Sequence, residues 1–140
     1  MKKLVIFLYL IIAQHFAGFT QSIMLDTKIL DDGTIVTGSN QENAAYPLCM
    51  CAERVAIYAA ASQHPDKKIV KMAVVAHKKN HKDLVAAASC GACRQVMLEF
   101  ELRQKSPLQV VFLGGPDQWI ICESSSTLLP FSFSKDNLNG

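Results

Sequence analysis

Cys51-Ala52-Glu53-Arg54 and Ser89-Cys90-Gly91-Ala92-Cys93-Arg94-Gln95 are the two stretches of this chain whose residue types and spacing could do chemistry together. They supply three soft metal ligands, Cys51, Cys90 and Cys93, and one spare carboxylate, Glu53. Thiolate ligands favour zinc. Three protein ligands leave a fourth position for water, whose pKa the metal lowers toward neutrality, whereas four close the site into a structural one. Glu53, two residues beyond the first ligand, is placed to move protons for that water. Three thiolates on a dication leave a net negative charge. Arg54 and Arg94, each beside a ligand, and the N-termini of the helices that carry the cysteines can offset it.

The pair Cys90 and Cys93 alone also fits a redox couple or half of a structural zinc site, for which Cys49 or Cys122 would have to be the fourth ligand. A redox couple leaves Cys51 and Glu53 unexplained, and Cys49, two residues before Cys51, would point elsewhere on a helix. Catalytic zinc accounts for all four residues. His15, His64, His77 and His81 show no metal-ligand spacing.

The elements that must position these residues follow from pattern. Ser22 to Leu30 and the β-branched Thr34 to Thr37 read as two antiparallel strands around the turn Asp31-Asp32-Gly33. A helix is expected after Pro47, with Ala52, Val55, Ala56, Ala59 and Ala60 at three- and four-residue spacing and a stop at His64-Pro65. Ile69 to His77 reads as a buried strand, and Lys78 to Lys82 as a solvated loop rather than a phosphate site. A second helix is expected from Ser89 as N-cap, with Cys90 and Cys93 on one side of its first turn. Gln109 to Leu113 and Trp119 to Cys122 read as further strands. Strands alternating with two helices predict an α/β layer fold with both cysteine-bearing helix starts at one end of the sheet.

At 140 residues and 50% hydrophobic, the chain has material for one domain with its own core. A net charge of +2 without a long basic tract argues against nucleic acid or a membrane surface as partner, and for a small ligand. Five cysteines, an odd count at irregular spacing, point to metal chemistry in a reducing compartment, with the cytoplasm as the expected location. Lys2, Lys3 and the apolar run Leu4 to Ala13 resemble a signal peptide, which sets secretion beside that expectation; the run is short of the roughly 18 apolar residues a membrane span needs.

The paired motifs resemble those of the small zinc-dependent cytidine deaminases that use three cysteines, part of the cytidine and deoxycytidylate deaminase superfamily. The resemblance runs from about Gly33 to the C-terminus and includes Asn40-Gln41-Glu42-Asn43-Ala44-Ala45-Tyr46, which is similar to the family's ribose segment. It implies a three-layer α/β/α fold with a mixed sheet of about five strands over residues 22–140, preceded by an atypical segment 1–21 that is signal-like or a replaced start. It also implies hydrolysis of cytidine and deoxycytidine to the uridine nucleosides and ammonia, with Glu53 passing a proton to N3 and then to the departing amine. By the same resemblance Asn40 and Glu42 bind the sugar, although by themselves they would read as a turn and a helix cap. The Ala52 N–H meets the pyrimidine carbonyl, and Tyr46 and Phe133 complete a neighbour's pocket in a homotetramer. Two departures stand out: Ser89 replaces the family's proline before Cys90, and the family's F-x-V-G-A strand is missing upstream of Asp31.

Overall fold

The computed structural model describes residues 21–24, 30–78 and 81–138. The segment 1–21 that the sequence sets apart lies outside these residues except for Gln21, as do residues 25–29 of the expected first strand. The order of elements is β1 (Gln21–Met24), α1 (Ala52–Gln63), β2 (Lys71–Lys78), β3 (Leu84–Val85), α2 (Gly91–Gln104), β4 (Gln109–Gly115) and β5 (Gln118–Cys122). Single 3-10 turns occupy Tyr46–Leu48, Ser125–Leu128 and Lys135–Asn137.

The strands form one mixed five-stranded sheet in the order β1-β2-β4-β5, with β3 pairing β2. β2 and β4 are parallel, Met72 opposite Val110 and Val74 opposite Phe112, and a parallel pair requires a crossover, which α2 supplies. β5 returns antiparallel to β4 through a tight turn in which Asp117 takes positive φ. The mixed α/β architecture expected from the sequence is present.

One face of the sheet carries the core. Met72, Val74 and Val110 pack with Ala56, Ile57 and Ala60 of α1 and with Cys93 and Met97 of α2. Full burial of such aliphatic side chains stabilises the fold by about 1.5–3 kcal/mol each. Gln104 secures the far end of α2: its side-chain amide donates to the Ile69 carbonyl at 2.9 Å and accepts from the Ile69 N–H at 3.0 Å, imitating a strand at the entry to β2. Because α1 reaches β2 through a short connection it runs back along the sheet, and α2, crossing from β2 to β4, does the same. Both helix N-termini therefore lie at the C-terminal end of β2.

Within Thr34 to Thr37 Ile35 makes a β-bridge and no longer strand is formed; residues 25–29, its expected partner strand, lie outside the described residues. The turn itself is present: the Gly33 N–H donates to the Leu30 carbonyl at 3.0 Å and the Leu30 N–H to Thr34 at 3.3 Å. Beyond it the chain approaches α1. Val36 is buried, and a Cβ at Gly38 would stand 2.4 Å from the Ala52 carbonyl oxygen and 2.6 Å from the Ala56 nitrogen. Only glycine permits that approach. Among the described residues no helix is long and apolar enough to cross a membrane.

Candidate metal centre

Cys51 is the N-cap of α1 and Cys90 the N-cap of α2, both with extended backbone, and neither makes a side-chain capping hydrogen bond. Their sulfurs are free to turn toward one another at the positive ends of the two helices. Cys90 rather than Ser89 caps α2, a correction with a packing cause: Ser89 is buried, and its Oγ has no hydrogen-bond partner among the described residues.

The sulfurs of Cys51 and Cys90 are 3.8 Å apart, those of Cys90 and Cys93 3.4 Å, and all three lie within 4.8 Å of one another. A tetrahedral zinc with Zn–S bonds of ~2.3 Å spaces its sulfurs by about 3.8 Å. The donor set therefore fits zinc in both type and spacing. Among the described residues it is the one group of three or more potential ligands so assembled. Cys49 turns away, accepting from the Asn43 N–H at 3.2 Å and approaching Glu42 Oε2 at 3.8 Å, while Cys122 packs against the core.

Glu53 is 1% exposed, and its Oε2 has no hydrogen-bond partner among the described residues. A buried carboxylate oxygen without a donor is costly unless a cation or a proton compensates it. Burial first, and then the negative charge of Glu53, push the Cys93 thiol well above the ordinary range. Cys90 is lowered: burial opposes ionisation there, but the Cys93 N–H, the Cys93 and Cys51 thiols and the Ala92 N–H outweigh it.

Arg54 places Nη2 3.8 Å from Cys51 Sγ, and its pKa is raised chiefly by that contact. Arg94 is spent differently. Its Nε donates to the Ser89 carbonyl at 2.8 Å and its Nη1 to the Leu128 carbonyl at 3.2 Å, so it joins the ligand loop to the C-terminal segment. Asn40 Oδ1 accepts from the Ala52 N–H at 2.9 Å, so two residues that the resemblance assigns to opposite ends of a nucleoside bond each other here. Glu42 is exposed at the adjoining loop, which a Gln41–Met50 bridge closes with hydrogen bonds of 2.8 and 2.9 Å. Tyr46 and Phe133 stand 70% and 57% exposed.

Glu101 is a structural brace between α2 and the C-terminal segment that the sequence reading did not identify. Its carboxylate accepts from the Leu108 N–H, the Ser124 hydroxyl, and the Ser125 N–H and hydroxyl, at 2.6–3.0 Å. Desolvation opposes its charge, yet these four donors hold its pKa below the ordinary value. Its signal was the Ser124-Ser125-Ser126 run, a cluster of donors in need of an acceptor.

The family model for the cytidine and deoxycytidylate deaminase zinc-binding region matches residues 24–106. A cytidine deaminase of Halalkalibacterium halodurans is 38% identical over 112 residues, covering 79% of this chain and 76% of the relative. One of Sporosarcina psychrophila is 37% identical over 111 residues, covering 79% and 74%. Among solved structures, the cytidine deaminase from Burkholderia pseudomallei is similar with a TM-score of 0.62 at 34% identity over 84% of each chain. That from Mycobacterium tuberculosis gives 0.58 at 28% over 81% and 80%.

Proposed function

The chain belongs to the cytidine and deoxycytidylate deaminase zinc-binding family, and from that premise we propose that it hydrolyses cytidine and deoxycytidine to uridine and deoxyuridine, releasing ammonia. Water enters and the exocyclic amine leaves as ammonia, so the ring gains a carbonyl at C4 with no redox change. The observation that carries this reading is the buried, unpartnered Glu53 oxygen beside three convergent sulfurs.

Cys51, Cys90 and Cys93 hold the metal, and zinc, when bound, supplies Lewis acidity that makes water a nucleophile near neutral pH. Glu53 takes a proton from the attacking water and gives it to N3, then takes the proton of the resulting C4 hydroxyl and gives it to the departing amine, so that N3 keeps one proton and the amine leaves as ammonia. Its burial excludes bulk water and keeps the carboxylate from being solvated away from the reacting atoms. Arg54 offsets thiolate charge at Cys51. Asn40 and Glu42 bind the ribose hydroxyls; as Asn40 Oδ1 turns to the sugar, the Ala52 N–H turns to the pyrimidine carbonyl. Arg94 contributes positive charge near the ligands only at second hand, since its donors are held by the Ser89 and Leu128 carbonyls.

We extend the reading to a homotetramer in which Tyr46 and Phe133 of one subunit close the pocket of another. The exposure of these rings, and of Trp119 and Ile121 on β5, supports it. The chemistry suits pyrimidine salvage in the cytoplasm, where thiolate ligands stay reduced. The test is Glu53→Gln: cytidine-dependent ammonia release should fall by about 10³-fold while zinc content stays at one per chain. Zinc retained with wild-type turnover would end the assignment of Glu53, and zinc retained in a wild-type chain that releases no ammonia would end the reaction.

A further inference from the structure

We infer that Gln95 is a positioning residue for the substrate pocket, fixing Phe133 to the same helix turn that carries Cys93; the pocket role of Phe133 rests on the reading above. The Gln95 Nε2 donates to the Phe133 carbonyl at 2.7 Å. Gln95 lies two residues after Cys93, and its neighbour Arg94 reaches the Leu128 carbonyl from the same turn.

The need for such an anchor follows from the local structure. Between the 3-10 turns Ser125–Leu128 and Lys135–Asn137 the chain has no helix or strand. Side-chain packing does not fix it either, since Phe131 is 99% exposed and Phe133 57%. Its course is set by backbone anchors. Glu101 holds Ser124 and Ser125 upstream, Arg94 holds Leu128, Gln95 holds Phe133, and Ser134 then enters a turn capped by Asn137 Oδ1 at 2.8 Å. An exposed ring whose own carbonyl is tied down is presented outward in a defined place. Because the tie starts two residues after a metal ligand, the ring that one subunit lends to its neighbour's pocket is held on the same rigid helix that carries the lender's own Cys93.

Two measurements on the zinc-loaded full chain test this. In Gln95→Ala, amide hydrogen exchange over residues 129–134 should quicken while α2 stays protected. The KM for cytidine should rise about tenfold, the size of one net hydrogen bond, with a smaller change in kcat. Gln95→Met, which keeps the length without the donor, should behave alike. Phe133→Ala should raise KM as well, and the double variant should be no worse than the more damaging single one, because both remove the same ring from the same place. Multiplying KM effects in the double variant, or loss of zinc with KM unaltered in Gln95→Ala, would overturn the inference. A wild-type chain without cytidine turnover removes the reaction and the pocket role with it; unaltered exchange in Gln95→Ala removes the tie whatever the activity.

Discussion

At the start of α1 the chain is held from every side: Ala52 and Glu53 are buried, Gly38 presses on the backbone, Asn40 takes the first N–H and Arg54 meets the Cys51 sulfur. At the start of α2, Cys90, Gly91 and Ala92 are exposed, and the hold comes from one turn further on, through Arg94 to Ser89 and Leu128. Both starts deliver thiolates to one cluster, so the difference lies in what else each must do. The α1 half also carries the buried Glu53, and the proton transfers proposed for it need a dry, fixed geometry. The α2 half supplies one sulfur from the core, Cys93, and one on a side open to solvent, Cys90, and it borrows rigidity from the C-terminal segment.

Substitutions at the two glycines break this comparison most sharply. Gly38→Ala puts a methyl against backbone atoms that cannot yield, and should destabilise by about 3 kcal/mol in urea unfolding. Gly91→Ala, with nothing within 4 Å of the added carbon, should stay within about 0.5 kcal/mol of the parent. Equal effects at the two positions would mean that both helix starts are equally packed.

Glu101→Gln tests the brace behind α2. With one acceptor oxygen lost among four donors, and the site partly open to solvent, a loss of about 1.5 kcal/mol is expected. The Glu101 pKa is lower in the folded chain than its ordinary 4.5, so its charge stabilises fully above that value and the benefit is lost as pH falls through the lower folded value. The gap between parent and Glu101→Gln should accordingly be constant from neutral pH to about 5 and close below 4.5. A gap that widens in acid would reverse the sign of the argument.

A smaller loss than at Gly38 or Glu101 is expected at Asn40. Asn40→Ala should cost about 1 kcal/mol, as for a lost helix cap, and Asn40→Asp should restore most of it because the acceptor oxygen remains. Sugar binding separates from capping in the same pair: Asn40→Asp should keep stability yet raise KM for cytidine more than for free cytosine, whereas equal KM changes would leave Asn40 as a cap alone.

The convergence of Cys51, Cys90 and Cys93 and the place of Glu53 were legible in the sequence because each is fixed by local helix geometry: two N-caps, the third residue of α2 and the second of α1. β2, β4 and β5 were legible from their runs of apolar, strand-favouring residues. What the sequence hid was decided by distant partners. Thr34 to Thr37 has strand composition, yet only Ile35 makes a bridge, while Val36 joins the core and Gly38 lies against α1. Ser89 has the composition of a cap, yet burial takes it out of that role. Arg94 stands beside a ligand in sequence, but carbonyls at Ser89 and Leu128 direct its guanidinium. β3 is two residues long, too short for any periodicity to register.

The central claim is that three sulfurs hold one zinc and leave a fourth position that Glu53 serves. Zinc K-edge X-ray absorption on the purified chain measures this directly. Three sulfur scatterers at about 2.3 Å with one oxygen near 2.0 Å are expected. Four protein ligands, whether a fourth sulfur or an imidazole, would contradict it.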